Sequence, residues 1–201
     1  MILGHVWGIF AHPAEEILSV REKRVASPAL YIGSLFVLAA IPPIAGYIGA
    51  TQVGWRIGDG VVTKLTVAST IPLCVVSYFA ILTGILVVGL AINWMRETYT
   101  NLSNDDVNGI SLATFVSAPL LIFSVIGVYP VIWVGMLTLI AAATYSVYLL
   151  YTCVPVAFKI PKERAHLFSS AILTIALVIT VVLIITTVII WAVGFAPVFT
   201  N

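Results

Sequence analysis

From Ile110 to Phe158 the chain carries no charged residue. A helix crosses the hydrocarbon core of a bilayer with about 20 apolar residues. This stretch is therefore too long for one crossing and about right for two, with "GVYPV" at residues 127–131 as the hairpin between them. Inside a membrane every backbone N–H and C=O must be paired, which leaves helices and closed barrels. A barrel would show alternating segments of about ten residues, and this run is uncharged and predominantly apolar throughout. The expected fold class is all-α, a polytopic membrane protein.

Three further runs complete the count. Spans are expected at about 29–50, 65–93, 110–128, 131–153 and 169–193. Only 8% of the 201 residues are charged, whereas 61% are hydrophobic. A soluble domain is about 25% charged, so this chain could not cover a globular surface. Net charge is +1, which leaves no global field to attract nucleic acid. Two cysteines, Cys74 and Cys153, fall within or at the ends of apolar runs and read as buried thiols rather than a disulfide framework.

The basic residues give the spans a direction. With five crossings, the N-terminal segment, second loop and fourth loop share one side and hold Arg21, Lys23, Arg24, Arg96, Lys159, Lys162 and Arg164. Arg56 and Lys64 lie on the other. The excess of basic residues on cytoplasmic loops then sets the N-terminus in the cytoplasm and the C-terminus outside. Small residues and a proline pair in the first run would suit a cleaved signal, but 28 residues make a long charged leader, so a signal-anchor is expected.

The chain divides into residues 1–28, a cytoplasmic or interfacial amphipathic segment, and residues 29–201, the five-helix domain. In the first part Pro13 suits a helix start, with glutamates early and basic residues late. Trp7, Phe10, Arg21, Lys23 and Arg24 are its candidate interfacial anchors. A tail packed on the bundle fits the same residues.

Four prolines, Pro42, Pro43, Pro72 and Pro119, fall within or near the ends of spans. Each lacks an N–H and crowds the preceding turn, so kinks or breaks are expected there. Two readings are open: broken helices around a cavity, or bends that shape a compact bundle. Small residues in "AGYIGA" (45–50) suit close helix approach. No Asp, Glu, Lys, Arg or His lies well inside a span, which argues against ion-coupled transport. Asn93 and Gln52 read as groups that satisfy helix ends. In the first outer loop, Trp55, Arg56 and Asp59 form either a tight turn or a lid.

Chemical sites are sparse. His5, His12 and Glu16 could be drawn together around a metal, but the spacing lacks a paired-ligand pattern, so no metal and no cofactor is expected. Cys153 would need a base such as His166 or His12 to act as a nucleophile, and nothing further marks it.

"HVWGIFAHP" (5–13), "AAIPPIAGYIGATQVGW" (39–55), "VSAPLLIFSVIGVYPVIW" (116–133) and "YSVYLLY" (145–151) resemble the bacterial YohC-type inner-membrane branch of the Yip family. That family's eukaryotic branch comprises the Ypt-interacting proteins. The resemblance implies five helices, a cytoplasmic N-terminus and a bacterial inner membrane; it brings no catalytic residues. Eukaryotic relatives meet Rab GTPases through long N-terminal regions, and about 28 residues here do not support that partner. The expected function is a non-enzymatic protein that organises membrane lipids or a membrane-protein partner and forms homo-oligomers. The alternative is a small permease or channel with a cavity between proline-broken helices.

Overall fold

The computed structural model describes residues 15, 17, 28–56, 61–99 and 107–200. Five helices in it are long and apolar enough to cross a membrane. They are α1 (Pro28–Ile48), α2 (Val67–Tyr99), α3 (Gly109–Phe123), α4 (Ile132–Phe158) and α5 (Lys162–Ile190). Short turns of other helical pitch extend three of them: Gly49–Val53 after α1, Ser124–Val128 after α3 and Trp191–Phe195 after α5.

α3 is the central element. It is the shortest helix, at 15 residues, and packs against α1, α2 and α4. α5 packs on α2 and α4 instead. The main core gathers Ile92, Met95, Leu112, Phe115, Leu149, Cys153, Phe158 and Phe168 toward the end of the bundle where α2 finishes and α5 starts. That end also carries Arg96, Lys159 and Arg164 and is termed the basic end. A smaller cluster of Leu35, Ala39 and Leu82 joins α1 to α2.

At the opposite end, β1 (Lys64–Leu65) pairs antiparallel with β2 (Phe199–Thr200), Lys64 facing Thr200 and Leu65 facing Phe199. The clip ties the segment before α2 to the segment after α5. The loop from α1 closes beside it, where Trp55 and Thr63 exchange backbone bonds of 3.0 and 2.9 Å. Trp55 then packs edge-to-face on Phe199, ring centres 6.1 Å apart. This is the strand end.

Several boundaries differ from expectation for one reason. α2 has 33 residues and spans roughly 50 Å at 1.5 Å per residue, well beyond a hydrocarbon core of about 30 Å. A helix does not stop at the membrane surface, so Arg96 and Glu97, which look like loop, lie in its last turns. Likewise Lys162 to His166 form the first turns of α5 rather than a loop. α4 runs to Phe158, which places a further proline, Pro155, inside a helix.

The prolines do not interrupt their helices. α1 is continuous through Pro42 and Pro43, α2 through Pro72 and α3 through Pro119. The change of pitch in the first span comes later, at Gly49–Val53. Near the N-terminus, Ile17 is helical and only 2% exposed, packed in the main core, while Glu15 is exposed. Trp7, Phe10, Arg21, Lys23 and Arg24 lie outside the described residues.

Candidate functional site

Two contacts fix the helices around the interior, and both depend on glycine at a close approach. Where α2 crosses the start of α3, a methyl group on Gly89 would lie 2.6 Å from Ile110 Cα, and one on Gly109 would meet the Gly89 carbonyl and the Asn93 side chain. The absence of side chains lets Asn93 reach across. Its Oδ1 accepts from the Gly109 N–H at 2.7 Å, and its Nδ2 donates to Asn108 Oδ1 at 3.2 Å. Asn108 in turn accepts from the Ile110 N–H at 2.9 Å as the N-cap of α3. Thus two of the four amides that a helix start leaves open are held by side chains, one of them from the neighbouring helix. At Gln52 it is the backbone carbonyl that is satisfied, accepting from Lys64 Nζ at 2.6 Å.

The second contact joins the end of α1 to the turn after α3. A methyl group on Gly49 would strike the Gly127 carbonyl. Part of the small-residue run at 45–50 is therefore used within the chain. Cys74 Sγ sits 3.4 Å from the Pro43 carbonyl, linking α2 to α1 close by.

Because α5 leans on α2 and α4, a space remains between it and α3. It is an apolar cavity of about 390 Å³. Ile85 and Val88 of α2, Val116 and Leu120 of α3, Val147 of α4 and Leu183 of α5 are among its walls. Among the described residues, no charged one lines it. Its hydroxyls come from Ser117, Ser146 and Thr180. Ser117 and Thr180 bond back to the carbonyls of Ala113 and Ala176 at 2.7 and 2.8 Å. Ser146 is buried, and its Oγ has no hydrogen-bond partner among the described residues. Ser169 Oγ shares that condition but does not line the cavity.

A second hollow, of about 480 Å³, opens at the strand end, where Trp55 and Arg56 meet Tyr129, Pro130 and Trp133. It brings together two residues of the expected outer-loop group; Asp59 lies outside the described residues. None of Pro42, Pro43, Pro72 and Pro119 lines either hollow. Cys153 is wholly buried in the core, while His166 is exposed and its ring lies tilted beside that of Tyr151, ring centres 5.8 Å apart. The thiol is thus closed off from solvent, while the imidazole lies at the exposed surface. His5, His12 and Glu16 lie outside the described residues.

Sequence reasoning did not single out Gly89, Gly109 or Ser146. The first two had a usable signal: Gly89 and Asn93 are four apart, on one face of α2, and Asn108-Gly109 precedes an apolar run as a cap would. Ser146 had none, because one serine among apolar residues looks the same facing a wall or a cavity.

The Yip1 domain matches residues 7–184. The inner membrane protein YohC of Escherichia coli strain K12 is 34% identical over 193 residues, covering 96% of this chain and 98% of the relative. The YohC of Escherichia coli O6:H1 strain CFT073 matches with the same identity and coverage. No solved structure matches the chain. Five membrane-length helices, their order and a match across nearly the whole chain place this protein in the Yip family.

Proposed function

We propose that this protein is a non-enzymatic, self-associating component of the bacterial inner membrane that gathers lipids or membrane-protein partners around its bundle. The observation that carries the reading is the first half of α4. From residue 132 to 141 no residue is buried. Trp133 and Leu137 are 76% and 68% exposed, and Gly135 has nothing within 4 Å of where a methyl group would stand. Association of helices in lipid is driven by packing and favours small residues that admit close approach. A helix half with an open glycine and large flanking side chains suits a second copy of the chain.

The sidedness belongs to the same proposal. The basic end, with Arg96, Lys159 and Arg164, is cytoplasmic, and the strand end is periplasmic. The permease alternative calls for a polar path, whereas the interior space is walled by aliphatic side chains and suits hydrocarbon. No Rab-type GTPase partner is proposed.

Single-cysteine chains, with Cys74 and Cys153 replaced by Ala, test both parts in whole cells. Leu137→Cys is expected to cross-link to a dimer, and Val178→Cys, on the outward face of α5, is not. Val61→Cys is expected to react with a membrane-impermeant maleimide from the periplasmic side. Equal cross-linking at both sites contradicts the α4 interface; a Val61→Cys chain that reacts only after lysis contradicts the orientation.

A further inference from the structure

We propose that the hollow at the strand end holds the head group of one anionic phospholipid, its phosphate on the Arg56 guanidinium and its acyl chains running on into the bilayer. This gives a chemical class to the lipids of the proposed function and rests on that reading. Binding is counted per chain in detergent, so the site holds or fails apart from self-association and sidedness.

Charge is the first observation. The sequence supplies two cations to the strand end, Arg56 and Lys64. Lys64 is taken, its Nζ donating to the Gln52 carbonyl at 2.6 Å. Arg56 is exposed, lines the hollow and has no hydrogen bond or ion pair among the described residues. It is also the one charged group among the described residues around that hollow. A guanidinium stays protonated and matches a phosphate with two parallel N–H bonds. With a cation and no carboxylate among its described walls, the hollow favours a head of net negative charge over a zwitterionic one.

The start of α4 adds to that charge. Val131 and Ile132 line the hollow. Val131 caps the helix with no side-chain bond, and its carbonyl accepts from the Gly135 N–H at 2.9 Å. The amides before Gly135 are left to an outside acceptor and carry the partial positive charge of a helix start.

Depth makes the occupant a lipid rather than a free anion. Two candidate spans, Gly33–Val53 and Gly109–Val128, end beside the hollow, and Ile132–Phe158 begins there. The site thus stands where hydrocarbon gives way to head groups. Trp55 and Tyr129 are of the aromatic types enriched at that level. Tyr129 is 69% exposed, and its phenol is a donor for a phosphate or ester oxygen.

Size divides the lipid between two places. About 480 Å³ lies within the range of small-molecule sites, roughly 300–1,000 Å³, and is matched to the head alone. An adjoining hollow of about 340 Å³ shares the walls from Trp55 and from Tyr129 to Ile132, and continues along Ile126 and Gly127. Its described walls carry no charge, so the chains leave the head on that side and pass into the bilayer.

The test is titration of the full-length protein in mild detergent, read by native mass spectrometry as lipid bound per chain. One equivalent of dioleoylphosphatidylglycerol is expected to bind saturably, about tenfold more tightly than dioleoylphosphatidylethanolamine. Arg56→Gln should remove that preference, the loss of one charge-assisted contact. Arg56 is exposed, so this variant is expected to fold. Lys159→Gln, which removes a cation at the basic end, should leave the preference intact. A preference that survives Arg56→Gln, or that falls as far in Lys159→Gln, overturns the site. Equal binding of the two lipids by the unaltered chain overturns the charge selection. Displacement of the bound lipid by an equal concentration of inorganic phosphate makes the occupant a free anion and overturns the lipid.

Discussion

Asn93 holds the start of α3 from the neighbouring helix, through bonds to the Gly109 amide and to Asn108. A residue that looks like a local helix-end group is thus a joint between two spans. Its polarity and its place near the end of an apolar run were legible in the sequence. Its partner, 16 residues later and across a polar segment, was not, because no local pattern announces which amide an asparagine will reach. Asn93→Leu removes the joint while leaving the Gly109 N–H in a crossing too tight for water to enter freely. Loss of a buried partner costs about 1–3 kcal/mol, and thermal unfolding in detergent should show a lower Tm of that order. An unchanged Tm would mean that the amide finds another acceptor. Ser146 illustrates the limit at this scale: its type is visible in the sequence, its lack of a partner is a property of the packed bundle alone.

At the level of elements, the prolines lie within continuous helices and not at the ends of them. Pro42 and Pro43 deprive the carbonyls of Leu38 and Ala39 of their amides, yet α1 continues to Ile48. Beyond Ile48 a turn of wider pitch brings Gly49 onto the Gly127 carbonyl. The prolines led to an expected kink or break at 42–43, whereas α1 is continuous there and the change of pitch comes at Gly49–Val53; proline does not mark where neighbouring elements pull a helix out of register. None of these prolines lines either hollow. Replacing Pro42 and Pro43 by Ala together should keep the five-helix fold and lower Tm by shifting Gly49 away from Gly127. Gly49→Leu should lower it too. The two changes combined should cost less than their sum, because both remove one contact. Full additivity would separate the prolines from that contact, and loss of function with no loss of stability would show that they serve more than shape.

For the molecule as a whole, the number and class of the spans were readable because hydrocarbon imposes the same demand on every segment: a long apolar run and a backbone paired within itself. Their ends were less readable, as Arg96, Glu97, Lys162 and Glu163 show, because helices continue past the membrane surface and charges there do not stop them. The cavity was not legible at all. Wall residues such as Val88, Leu120 and Leu183 are the same types that face lipid or core, and in a chain with 61% hydrophobic residues the pattern does not distinguish the three. Family and fold are carried by the whole chain, while the proposed role turns on whether α4 meets a second copy.

The mass of the intact particle decides that most directly. The full-length chain, released from its native membrane into a mild detergent and measured by native mass spectrometry, should appear as a defined multiple of 21.6 kDa, and Gly135→Trp on the open face of α4 should shift it toward the single chain. A wild-type particle that stays at one chain across concentrations would contradict self-association.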